Sequence, residues 1–155
     1  MKKLILVMVL FSATSLFAQN VDDFIQLLKT NVQSDKITII TQVMNFTEEQ
    51  SEVFWPIFND YSTELSKLGD KRISNIKDFA ANYDSLTDAK ANELIKNSFD
   101  YQNDRLSLNE KYYNKFAKVL GATVAAKYMQ LEHQIQLIID LQINSNLPLA
   151  KKPGE

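Results

Sequence analysis

The sequence predicts an all-α protein of about four helices. Two long antiparallel helices form an elongated hairpin, and shorter helices flank it in a cradle-like arrangement. Three observations carry this reading. Chain breakers are scarce, with three Gly and three Pro in 155 residues, which favours long helices over many short strands. Apolar residues recur at three- and four-residue spacings through most of the chain. Two threonines, Thr47 and Thr87, stand where the two long helices need N-caps.

The chain opens on Met1-Lys2-Lys3, followed by a nearly uninterrupted apolar run from Leu4 to Phe17 and then Ala18-Gln19-Asn20. A short basic segment, an apolar stretch and a small residue are the parts of a secretory signal peptide. The apolar run is shorter than the roughly 20 residues a bilayer span needs, which sets an uncleaved anchor below a cleaved signal. The expectation is a signal over residues 1–18, cleaved after Ala18, with the protein periplasmic or otherwise exported. A single helical domain over 19–147 and a disordered tail over 148–155 follow. The chain has no Cys, so it has no disulfide, no thiolate chemistry and no lipidation site after the apolar run. Its net charge is −2, and loss of Lys2 and Lys3 makes the mature chain more acidic, which argues against a nucleic-acid partner.

The first helix is expected over Val21–Met44, with Phe24, Leu27, Leu28, Val32, Ile40, Val43 and Met44 inward. The β-branched run Ile37–Thr41 lacks any partner strand signal, so it stays in this helix. Thr47 and Gln50 fit a capping box, and Glu48 and Glu49 suit the positive end of the helix dipole. The second helix then runs to about Tyr83 with Phe54, Phe58, Tyr61, Leu65, Leu68, Ile76, Phe79 and Tyr83 on one face. Pro56 is expected to kink it, and Gly69 is a second weak point. After the break at Asp84–Asp88, Thr87 caps a third helix to Leu120, whose seam reads Ile95, Phe99, Leu106, Tyr113, Phe116 and Leu120. Gln102 and Asn109 interrupt that seam as polar register-setting positions. Gly121 ends this helix. The last helix runs from Thr123 to Asn144 with Val124, Tyr128, Leu131, Ile135, Ile138, Ile139 and Leu141 inward.

The short turn near Ser85 makes the second and third helices antiparallel neighbours, each about 50 Å long at 1.5 Å per residue. Counting back from it sets Arg72 opposite Phe99 and Asp100, and Leu65 opposite Leu106. Such a hairpin has more apolar face than the shorter helices can cover, so a homodimer or an open concave face is expected.

The boundary Phe46-Thr47-Glu48-Glu49-Gln50 resembles the Leu-Thr-x-x-Gln motif of the Spy/CpxP-like family of periplasmic helical proteins. Leu86-Thr87-Asp88-Ala89-Lys90 is a looser second copy, with Lys90 in place of Gln. Phe54-Trp55-Pro56-Ile57-Phe58 through Tyr61, the Lys77–Leu86 segment and Ala125–Glu132 are similar to a group of exported bacterial proteins related to that family. The resemblance implies an elongated, dimeric helical fold. It also implies one of three roles: an ATP-independent chaperone, a regulator of an envelope-stress sensor kinase, or a periplasmic metal sensor.

No catalytic constellation is present. There is no Gly-x-Ser-x-Gly turn, no glycine-rich phosphate loop and a single histidine, His133. Metal binding needs several converging ligands, which leaves His133 as a solvent-exposed or locally hydrogen-bonded residue. Trp55-Pro56 with Phe54 and Phe58 reads as a core corner. Arg72 is expected to snorkel, or to pair with Asp100 or Glu64. Asp100, Asp104 and Glu110 form a solvated face. The leading expectation is a non-enzymatic, cofactor-free periplasmic protein, chaperone-like or an envelope-stress adaptor. It would bind polypeptides on a face lined by Tyr61, Leu65, Tyr113 and Phe116, with Lys67, Lys71 and Lys115 nearby. A specific regulator of an envelope signalling pathway is the second reading and a metal sensor the third.

Overall fold

The computed structural model describes residues 35–151, and every regular element among them is helical. The expected signal segment, the Val21 end of the first helix and residues 152–155 of the tail lie outside the described residues. Helix α1 covers 35–44 within the described chain, α2 Glu48–Asn82, α3 Asp88–Leu120 and α4 Ala122–Ser145, with a 3₁₀ turn at Tyr83–Ser85. The all-α class with two long packed helices is therefore present, and the expected boundaries hold to within a residue or two.

The helix ends follow from local chemistry. Asn45 closes α1 in the left-handed region, φ 47°, where Asn is one of the few non-glycine residues at ease. Its N–H donates to the Thr41 carbonyl. At the start of α2 the Gln50 N–H donates to Thr47 Oγ1 at 3.3 Å, and the Thr47 N–H donates to Gln50 Oε1 at 3.2 Å. This reciprocal pair is a complete capping box. At α3 only half of it exists. The Lys90 N–H donates to Thr87 Oγ1 at 3.2 Å, but lysine has no acceptor with which to reach back. Its ammonium turns to Asp78 and Glu93 instead. Helix α2 continues through Pro56, which is exposed, so solvent can reach the carbonyl left without its helical donor. Gly121, at φ 83°, joins α3 directly to α4, a conformation that favours glycine.

The hairpin α2–α3 is antiparallel. Lys71 meets Asp104 at 3.0 Å and Lys111 meets Glu64 at 2.7 Å, while Asn75 Nδ2 donates to the Leu94 carbonyl at 3.0 Å and Ser98 Oγ at 3.2 Å. Helix α4 lies along this hairpin in the direction of α2, since Tyr61 reaches Glu132 and Arg72 reaches Asp140. Helix α1 runs the other way, with Lys36 beside Glu132 and Lys127 Nζ donating to the Val43 carbonyl at 2.7 Å. The core sits where all four meet. Phe54 is its centre, with ring centroids 4.5 Å from Phe46, 5.1 Å from Phe116 and 5.0 Å from Tyr128. Offset and edge-on aromatic pairs of this kind add about 0.5–1.5 kcal/mol each beyond area burial.

Two seams differ from the sequence reading. On α3 the buried residues are Leu94, Leu108, Tyr112 and Phe116, while Ile95, Phe99 and Leu106 are 49%, 54% and 59% exposed. Up to Leu108 the inward face is offset by about one residue, roughly 100°, while Tyr113, Phe116 and Leu120 pack in the core as expected. Ser98 bonds to Asn75, and Arg105 to Asp140 on α4, so polar residues occupy inward positions that an apolar count skips. On α4, Ala125, Glu132 and Gln136 are buried, while Ile138 and Leu141 are 59% and 69% exposed.

The caps generate a stability test. Thr47→Ala removes an acceptor from a two-bond box and is expected to cost about 1–2 kcal/mol, whereas Thr87→Ala removes a single bond and costs about 0.5–1 kcal/mol. Urea unfolding of the two variants measures both; a larger loss from Thr87→Ala would contradict this assignment.

Candidate functional site

Two polar clusters are built on the core. The inner one centres on the Glu132 carboxylate, which is 1% exposed. Lys36 Nζ donates to Oε1 at 2.7 Å, Tyr61 Oη to Oε1 at 3.1 Å, Gln136 Nε2 to Oε1 at 3.2 Å and Tyr128 Oη to Oε2 at 3.4 Å. The Lys36 ammonium also lies 5.7 Å from the Phe58 ring centroid and 5.5 Å from that of Tyr61, a cation–π arrangement. Tyr61 Oη is in addition 2.9 Å from Asn109 Oδ1. One hydroxyl proton cannot fully serve two acceptors, and an Asn109 amide turned over would donate to Tyr61 and leave that proton for Glu132. Burial, then the negative charge of Glu132, pushes the Tyr61 and Tyr128 phenols well above their ordinary range. Tyr112 is pushed up to about 12 by burial and by its hydrogen bond to Glu64. Glu64 itself is held below its ordinary value by hydrogen bonds from Lys111 and Tyr112. Lys36, Tyr61, Tyr128, Glu132 and Gln136 are buried, so the Glu132 cluster serves the fold.

The outer cluster faces a groove. Asp140 on α4 accepts from Arg72 Nη1 of α2 and, at 3.0 Å, from Arg105 Nη1 of α3, so one carboxylate ties three helices. The Arg72 guanidinium carbon lies 5.4 Å from the Tyr101 ring centroid, and the Tyr101 hydroxyl sits 3.5 Å from Arg105 Nη1. Burial works against the Arg105 charge, but Tyr101 and Asp140 outweigh it and its pKa is raised. These side chains line a groove of about 540 Å³ shared with Asn75, Gln102, Leu106, Asn109, His133 and Asn144. Most of its lining is polar, with Ile76, Leu106 and Leu147 as the apolar members. Ile95, Phe99, Gln102 and Leu106 follow one another at four-, three- and four-residue steps, so the two exposed apolar residues continue the face on which Gln102 and Leu106 line the groove. Leu137 falls at the same spacing between His133 and Asp140 and is half exposed, with Leu141 a turn further on.

The structure corrects the expected polypeptide-binding face. Tyr61 and Phe116 are fully buried, as nearly is Phe58, and Leu65 and Tyr113 pack against the same core. Helices α1 and α4 cover this side of the hairpin, so these four residues hold the bundle together. Arg72 pairs with Asp140 rather than with Asp100 or Glu64. Asn109 does bridge α3 to α2, Gln102 and His133 stand exposed along the groove, and Trp55 packs edge-on to Phe54 and Phe58 in the core corner. Lys71 is engaged by Asp104, and Lys115 lies over the Tyr112 ring. The motif residues Phe46, Thr47 and Gln50 act at the α1–α2 corner, and Leu86 and Thr87 at the α2–α3 turn. In the segment expected to be disordered, Lys151 reaches back to Asp84 and over the Tyr83 ring. The sequence reading missed Lys36, Glu132, Arg105 and Asp140. Their one signal is a charge at an inward helical position: Lys36 is four residues before Ile40, and Glu132 four after Tyr128.

No protein-family model, curated protein or solved structure matches the chain. Among the described residues no three His, Cys, Asp or Glu converge as a metal site, and no helix is long and apolar enough to cross a membrane.

The inner cluster makes two predictions. Removing one partner strands the other as a buried charge, so Lys36→Met or Glu132→Leu alone is expected to cost about 3–5 kcal/mol. The double variant is expected to recover much of that loss, which a double-mutant cycle by denaturant unfolding measures. Strictly additive losses would contradict the pairing. The second concerns alkaline pH. A phenol whose folded pKa is raised keeps its full stabilising contribution below about pH 10, its unfolded value. That contribution is lost as pH rises toward the folded value, because unfolding then releases a proton. Stability is expected to fall between pH 10 and 12 by up to about 1.4 kcal/mol per pH unit for each of Tyr61, Tyr112 and Tyr128. Tyr128→Phe is expected to flatten the slope; unchanged slopes in all three Phe variants would contradict the assignment.

Proposed function

We propose that the protein is a cofactor-free polypeptide-binding protein of the cell envelope, chaperone-like, which uses the groove between α3 and α4. The observation that carries this reading is a set of exposed apolar residues on the two helices beside the groove, of which Leu106 lines it. Phe99 and Leu106 on α3, and Leu137 and Leu141 on α4, stay half or more exposed although the core beside them is well packed. Apolar side chains in rows beside a polar floor bind chain segments through non-directional burial and adapt to more than one sequence. The amino-terminal export signal, and the likeness of the Thr47–Gln50 corner to Spy/CpxP-like proteins, support an envelope setting in which ATP plays no part.

A narrower reading, a regulator that binds one envelope signalling protein, is favoured by the groove floor. The Arg72–Asp140–Arg105 linkage is directional and suits a defined partner better than a mixture of clients.

The test is suppression of aggregation of an unfolding client by the chain from Gln19 onward, without ATP. Protection near stoichiometric ratio is expected, together with a several-fold loss in Phe99→Ser/Leu106→Asp, a variant whose exposed positions leave the core intact. Absence of protection at several-fold excess of the intact protein would overturn the chaperone reading.

A further inference from the structure

We infer that the groove recognises a carboxylate of the bound polypeptide, an Asp or Glu side chain flanked by apolar residues, through Arg72 and Arg105. This rests on the polypeptide-binding reading and names the chemistry of its partner. Among the described residues two guanidinium groups meet one carboxylate here, Asp140, which leaves an unbalanced positive charge in the groove lining. Both arginine side chains are largely withdrawn from solvent, 17% and 16% exposed, where an unbalanced charge attracts an anion more strongly than it does in open water. The donors are also incompletely used. Among the described residues Arg72 gives one hydrogen bond, through Nη1, and Arg105 likewise donates only from Nη1. A guanidinium has five N–H groups. No buried side-chain nitrogen in the described residues lacks a partner, so the remaining Nε and Nη2 donors reach solvent. Stacking of Arg72 on Tyr101 holds one fork in place, which suits two-point recognition of a carboxylate. The groove volume of about 540 Å³ lies in the range of small-ligand sites, so an acidic side chain leaves room for its neighbours beside the apolar lining residues Ile76, Leu106 and Leu147.

Fluorescence anisotropy of two labelled peptides tests this on the intact chain. They share one sequence with Leu and Phe around a central Glu in one and Gln in the other. The Glu peptide is expected to bind about tenfold more tightly. Arg105→Gln is expected to abolish the preference for Glu over Gln, and its circular dichroism spectrum and thermal melt check that the variant is folded. Equal binding of the two peptides would overturn the carboxylate inference and leave the polypeptide reading standing. A preference that survives Arg105→Gln would overturn the assigned arginine. Binding to anionic phospholipid vesicles with no binding of either peptide would overturn both readings.

Discussion

The Glu132 carboxylate sits where α1, α2 and α4 meet, and its charge dictates much of what surrounds it. An ionised group withdrawn from water is costly unless it is paired and its lone pairs are filled. Here Lys36 supplies the counter-charge, and Tyr61, Tyr128 and Gln136 supply neutral donors. Each donor comes from a fixed place on its own helix. Satisfying the carboxylate therefore sets the rotation of α4, the position of α1 and the use of Tyr61 as a core residue. A second carboxylate, Asp140, repeats the pattern two turns along α4 with Arg72 and Arg105. Together the two acids pin α4 along the hairpin.

This arrangement explains which parts of the structure were legible in the sequence. The helix boundaries were, because Thr47, Thr87, Asn45 and Gly121 are local signals that need no tertiary partner. The centre of the core was too, since Phe54, Phe58 and Tyr128 fall on strong apolar periodicity. The face of α3 ahead of Leu108 and the polar core positions of α4 were not, although Tyr113, Phe116 and Leu120 on α3 and Val124, Tyr128, Leu131, Ile135 and Ile139 on α4 pack in the core as the spacing predicts. A reading that counts only apolar positions turned α3 toward Ile95, Phe99 and Leu106, whereas the fold turns it toward Ser98, Tyr101 and Arg105. Those residues are inward because their partners, Asn75, Arg72 and Asp140, lie on other helices. Nothing in a single sequence states such pairings. The same blind spot hid Lys36 and Glu132, and it led to the choice of Tyr61 and Phe116 as a surface when they are core.

The shift of face carries the functional argument. Apolar residues that the sequence assigns to a seam are left on the surface, along a groove with a charged floor. Partly buried polar linkages between helices fix the groove walls in place, while the apolar residues beside it stay exposed. Rigid directional contacts and permissive apolar contacts thus lie side by side, the combination on which the proposed polypeptide-binding role rests.

The Glu132 cluster makes α1 an integral part of the bundle. Hydrogen exchange of the α1 amides from Ile40 to Met44 tests it most directly. If the buried pair anchors α1, these amides exchange only with global unfolding, at the same free energy as the core of α3 and α4. Exchange of α1 that is orders of magnitude faster, with α3 and α4 still protected, would show that the helix opens independently and would contradict the account.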